Sequence, residues 1–152
     1  MNIWVDADAC PGPVRDILLR ASQRLRVPMV FVANKRLTLP RSDLVSTVQV
    51  GAGLDVADQH IATSAQKGDL AVTQDIPLAA LLVPKGVVVI DPRGELFSEE
   101  NIAERLSVRN FMQDLRESGV MTGGPSGFSA QDRQQFAATL DRELTRLLKT
   151  HP

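Results

Sequence analysis

Apolar residues up to Ile90 fall into short runs separated by segments of helical spacing. Ile3-Trp4-Val5 is a compact run that meets Asp6 at its end, and similar runs recur at later intervals. The pattern predicts strands at about 2–6, 28–33, 46–50, 70–73 and 87–90, with helices at about 14–26, 56–67 and 77–83 between them. In the first of these helices Ile17, Leu18, Ala21 and Leu25 share one face, which leaves Arg20 and Arg24 together on another, and Pro28 marks its end. Strands alternating with helices point to an α/β fold with a mostly parallel central sheet and helices on its faces.

Beyond Asp91-Pro92-Arg93-Gly94 the pattern changes to polar helices without intervening strands. Ser98 is a suitable N-cap, followed by Glu99 and Glu100, for a helix that carries Ile102, Leu106, Met112 and Leu115 and stops near Gly119. A last helix starts near Ser129, with Asp132 in the capping-box position and Phe136, Leu140, Leu144 and Leu147 as its apolar stripe. The expected organisation is one domain over 1–152, with a core of about 1–95 and C-terminal helices of about 98–150 packed on it.

Composition narrows the class. Apolar residues make up 43% and charged residues 23% of 152 residues, as in ordinary globular proteins. No apolar run reaches the ~20 residues of a membrane span, and the N-terminus lacks a basic leader, so the expectation is a cytoplasmic protein with no membrane association. One cysteine excludes an internal disulfide, and Cys10 with His60 and His151 cannot build a zinc site of the usual kind. A metal would be held by oxygen.

Acids recur where strands end or helices begin: Asp6 and Asp8, Asp55 and Asp58, Asp75, and Asp91. In a parallel sheet those strand ends share one edge, and several carboxylates in one cleft repel one another unless a cation offsets them. Mg²⁺ or Mn²⁺, which prefer oxygen ligands, fit that role and would support phosphodiester hydrolysis. Asp55 and Asp16 read as cap or turn residues, whereas Asp6, Asp8 and Asp75 read as site residues. The net charge of −1 hides a basic segment, with Arg15, Arg20, Arg24, Arg26, Lys35, Arg36 and Arg41 between Cys10 and Ser42 against Asp16 alone. Such a segment suits phosphates, and Asn34, Lys35 and Arg36 follow a strand directly. With no Tyr and a single Trp, nucleic acid would be held mainly through its backbone.

Other signals carry less. Cys10 lies before a helix start but not at phosphatase spacing from Arg15, and reads as a small buried residue. His60 and Ser64 lack the strained turn and oxyanion hole of a hydrolase triad. Gly123-Gly124-Pro125 lacks the context of a phosphate-binding loop and reads as a connection between helices.

Asp6-x-Asp8 after the first strand, Asp58-Gln59-His60-Ile61-Ala62 on a helix, Leu70-Ala71-Val72-Thr73-Gln74-Asp75 and Val87-Val88-Val89-Ile90 together resemble the PIN-like nuclease fold, including the related NYN group. From end to end the chain more narrowly resembles the bacterial YaiI/YqxD family. That resemblance rests on Trp4 to Pro11, Val32-Ala33-Asn34, Ala52 to Asp58, Asp75-Ile76-Pro77-Leu78-Ala79, Pro92-Arg93-Gly94 and Thr122-Gly123-Gly124-Pro125. It implies a three-layer α/β/α fold in which Asp6, Asp58 and Asp75 occupy the metal-holding acidic positions, with Asp8 as an extra acid beside them. Two positions depart from the pattern: the helix acid is Asp58 where Glu is more familiar, and Ile76-Pro77-Leu78 stands where a further acid often follows the fourth strand. The pattern therefore supports a first metal ion better than a second.

The expected function is a metal-dependent phosphodiesterase or ribonuclease acting on RNA, with Asp6, Asp8, Asp58 and Asp75 at the metal and Arg20, Asn34, Lys35 and Arg36 toward the phosphate backbone. One alternative is a non-catalytic RNA-binding or regulatory module of the same fold. Another is a HAD-like phosphatase, in which Asp6 and Asp8 act as nucleophile and acid with Lys67 or Lys85 as the required lysine.

Overall fold

A computed structural model describes residues 1–53, 56–119 and 127–150. Asp55, the Thr122–Pro125 segment and His151 lie outside the described residues. The strands are β1 (Ile3–Asp6), β2 (Met29–Ala33), β3 (Val45–Gln49), β4 (Leu70–Val72), β5 (Val88–Ile90) and β6 (Leu96–Phe97). The helices are α1 (Gly12–Leu25), α2 (Val56–Ser64), α3 (Ile76–Leu82), α4 (Glu99–Glu117) and α5 (Ala130–Thr150). The strands form one six-stranded sheet in the order β3-β2-β1-β4-β5-β6, parallel except for the last pair.

Alternation along each strand divides the apolar residues between two faces. Ile3, Val5, Met29, Phe31, Leu70 and Val72 pack with Val14 and Leu18 of α1 and with Phe136, Leu140 and Leu144 of α5. Val32, Ala71 and Val89 face the opposite way, toward Ile61 of α2, Leu78 and Leu82 of α3, and Ile102 of α4. The result is a three-layer α/β/α sandwich whose inner strands are covered on both sides, which is why they read as unbroken apolar runs. Phe136, Leu140, Leu144 and Leu147 of α5 are all buried in the first of these two clusters.

Two expectations required correction. The segment after Gly94 is not purely helical, because Leu96 and Phe97 pair antiparallel with Ile90 and Val89. A two-residue strand is too short to display alternation, and its formation depends on the turn at Asp91–Gly94, where Gly94 takes a φ of 89°. The second helix ends at Ser64, earlier than the expected 67. Gln66 N–H donates to Asp69 Oδ2 at 2.9 Å, forming a turn completed by Gly68, and Lys85 Nζ donates to the Ala62 carbonyl at 2.9 Å, satisfying an orphan acceptor at the helix end.

Caps define the C-terminal helices as their sequences suggest. Ser98 Oγ accepts from Asn101 N–H at 3.3 Å while Asn101 Oδ1 accepts from Ser98 N–H at 2.8 Å. Ser129 and Asp132 make the same reciprocal pair at 3.1 and 3.0 Å.

Candidate functional site

From β1 the chain proceeds outward through β2 to β3, then crosses back to β4 on the other side of β1 and continues outward to β5. The order reverses between β1 and β4, and in open α/β sheets the crevice outside the C-terminal ends of such strands is where ligands bind. Asp6 ends β1, and Thr73 and Asp75 follow β4. The acids therefore flank the switch point.

Asp6, Asp8 and Asp75 converge there. Asp6 is only 8% exposed, and its Oδ2 accepts from Thr73 Oγ1 at 2.9 Å. Thr73 Oγ1 in turn accepts from Asp75 N–H at 3.0 Å, and Asp75 Oδ1 accepts from Leu78 N–H at 2.9 Å, capping α3. Asp8 sits on a single 3₁₀ turn, Ala7–Ala9, and its Oδ2 accepts from Asn34 N–H at 2.9 Å, which ties the end of β2 to the end of β1. Each carboxylate thus spends one oxygen on positioning, and among the described residues its second oxygen accepts no hydrogen bond.

Burial raises the Asp6 pKa above the ordinary 3.8, against the lowering effect of the Thr73 hydroxyl, and the charges of Asp75 and Asp8 push it further up. Asp58 lies half-buried in the first turn of α2. The structure thus unites Asp6, Asp8 and Asp75 through hydrogen bonds and mutual charge. Among the described residues no three His, Cys, Asp or Glu side chains form a group able to hold a metal ion unaided. The donors nevertheless suit Mg²⁺ or Mn²⁺ chemically, since a hard divalent ion often takes one or two carboxylates and completes its shell with water and phosphate.

The predicted phosphate-facing residues separate. Asn34, Lys35 and Arg36 follow β2 at the acidic edge, all exposed, with Asn34 engaged through its backbone. Arg20 is not brought there. It lies eight residues into α1 from Gly12, ~12 Å along the axis at 1.5 Å per residue, and lines a groove with Arg26, Arg41 and Asp43.

Thr73 is the positioning residue that sequence reasoning missed; its signal was a lone hydroxyl at the end of the Leu70-Ala71-Val72 run. Asp69, also unforeseen, is a buried clamp whose carboxylate accepts from Asn2 N–H, Trp4 Nε1–H and Gln66 N–H at 2.9–3.0 Å. Asp91 is a turn former: its Oδ1 accepts from Arg93 N–H and Glu95 N–H, both at 2.9 Å. Cys10 is half-buried with its thiol pKa pushed up to about 12, chiefly by burial, against the lowering influence of Arg15. It is a protonated packing residue at neutral pH, as expected. The lysines that a phosphatase reading needs are engaged elsewhere: Lys85 holds the end of α2, and Lys67 packs beside Gly86.

The comparisons agree with the sequence resemblance. The family model described as "Uncharacterized BCR, YaiI/YqxD family" matches residues 4–146. A UPF0178 protein of Myxococcus xanthus is 80% identical over 152 residues, covering 100% of this chain and 99% of the relative. UPF0178 proteins of Syntrophobacter fumaroxidans and Geobacter metallireducens are 59% and 56% identical over 149 residues, each covering 98% of this chain and 97% and 96% of the relatives. No solved structure matches the chain significantly. The family match takes in the Asp6, Asp8 and Asp75 edge together with the helix that closes the opposite face, and the chain belongs to the YaiI/YqxD family.

Proposed function

We propose that the protein is a metal-dependent phosphodiesterase that cleaves RNA at the edge formed by Asp6, Asp8 and Asp75. The observation that carries this reading is the convergence of three carboxylates at the topological switch point, one of them buried with a raised pKa. Holding three acids together is unfavourable unless a cation offsets them. Asp6 with Asp8 or Asp75 would hold Mg²⁺ or Mn²⁺, which when bound supplies an acidified water and neutralises charge on the phosphate. Thr73 fixes the Asp6 carboxylate and the backbone of Asp75, so the free oxygens keep their spacing as substrate enters. Lys35 and Arg36 at the same edge would draw the RNA backbone toward the acids.

The test is cleavage of single-stranded RNA with and without Mn²⁺. We expect Mn²⁺-dependent cleavage that Asp6→Asn reduces by at least about 10³-fold, as expected where catalysis depends on metal-assisted charge stabilisation. Equal activity in chelator, or in the Asn variant, overturns the proposal.

A second reading, a non-catalytic RNA-binding module, is favoured by the lack, among the described residues, of a three-ligand metal group. Calorimetry with Mn²⁺ separates the two: no heat of binding at millimolar metal supports the module.

A further inference from the structure

The groove that receives Arg20 has a composition unlike that of the acidic edge. It lies between the C-terminal half of α1 and the segment leading into β3, with a volume of about 520 Å³. Its floor includes the half-buried Leu19, Leu44 and Val45, and its rim carries Arg20, Arg26 and Arg41. All three arginines are exposed, and none forms an ion pair among the described residues, although Asp43 lines the same groove. Arg24, the neighbouring arginine on α1, instead pairs with Asp141 of α5 at 3.3 Å.

Helix electrostatics account for part of this pattern. A cation at the end of α1 answers the roughly half negative charge of its C-terminus, which explains a basic residue at position 26. It does not explain Arg20, more than a turn earlier, or Arg41, which comes from another segment. Arg26 also adopts the left-handed conformation, with φ 57° and ψ 46°, at a cap position where Gly or Asn would avoid about 1 kcal/mol of strain. Three positive rim groups outweigh one carboxylate and a partial dipole, so the groove presents net positive charge over an apolar floor.

We propose that this groove binds a nucleotide-sized phosphate ester, with the guanidinium groups on the phosphate and the apolar floor against the nucleoside. Guanidinium matches phosphate oxygens in a bidentate fork. The volume falls in the range of small-ligand sites. The ester is either a free mononucleotide or the end of an RNA chain, and the site does not depend on the acids at the opposite end of the sheet.

Binding of 5′-UMP by calorimetry and of a labelled, 5′-phosphorylated oligouridylate by fluorescence anisotropy, both in EDTA, tests this. Saturable binding is expected, weakened at least about tenfold by Arg20→Ala/Arg41→Ala and by Arg26→Asn, as loss of charge-assisted hydrogen bonds predicts. Circular dichroism should be unchanged in both variants, and Asn tolerates the left-handed backbone at position 26. UMP binding equal to that of the oligonucleotide identifies the free nucleotide as the ligand, and a tenfold preference for the oligonucleotide identifies a chain end. Undiminished affinity in both variants, no binding at millimolar UMP, or inorganic phosphate binding as tightly as UMP overturns the proposal. Loss of RNA cleavage with groove binding intact rejects only the acidic-edge reading.

Discussion

Asp6 is a carboxylate whose ionisation is opposed by burial and by two nearby acids and favoured by the Thr73 hydroxyl. Burial is the largest cause, and the charges of Asp75 and Asp8 add to it. The folded state therefore holds the Asp6 proton more tightly than the unfolded chain does. Between the ordinary value of 3.8 and the raised folded value, the unfolded state binds fewer protons, so this group's contribution makes stability fall as pH rises. Above that window the destabilisation is complete. Asp6→Asn keeps an oxygen for the Thr73 hydroxyl and removes the charge. In EDTA at pH 7 the variant is expected to melt a few degrees higher than the parent, with the gap closing toward pH 4. Thermal unfolding across that range checks it, and an Asn variant less stable at pH 7 contradicts the electrostatic account.

At the scale of elements, the join between the β5–β6 turn and α5 is a tight constraint. A Cβ on Gly94 would stand 2.5 Å from the Gln135 carbonyl carbon and 2.7 Å from Phe136 N, and its φ of 89° already disfavours any side chain. Thr139 Oγ1 donates to the Gly94 carbonyl at 2.7 Å across the same contact. Gly94→Ala must push helix backbone from turn backbone, at an expected cost of about 2–4 kcal/mol, read as a loss in urea-unfolding free energy. A loss below about 0.5 kcal/mol would mean that the turn yields easily. The strands β1, β2 and β4 and the N-caps Ser98 and Ser129 were legible because an apolar run, or a Ser ahead of an acidic first turn, is a local signal. Strand β6 and the 3₁₀ turn carrying Asp8 were not, since two or three residues display no period and their form is imposed by partners distant in sequence. Gly94 likewise showed a turn in sequence and only in structure a docking point.

Over the whole molecule the charges divide between the two ends of the sheet. The sequence presents one basic segment from Arg15 to Arg41, yet α1 returns antiparallel to β1, so Lys35 and Arg36 stand by the acids while Arg20, Arg26 and Arg41 stand at the far end. That is why residues at or just after strand ends, Asp6, Asp75 and Lys35 among them, were placed legibly by topology, whereas Arg20 was not: residues along a helix are spread over both ends of the layer. If the far groove takes an RNA end through its three arginines, affinity for the oligouridylate should fall with salt with a log–log slope of about −2, measurable by anisotropy at several salt concentrations. A slope near zero would show that charge has no part in it. The join at Gly94 belongs to a wider arrangement in which Phe136, Leu140, Leu144 and Leu147 complete the same core as Ile3, Val5 and Leu18. During synthesis, the first strand and helix leave the ribosome with that face uncovered until the last of these leucines follows. The nascent chain must therefore wait, its oily side open to chaperones or to other chains, for a helix that is made well after β1 and α1.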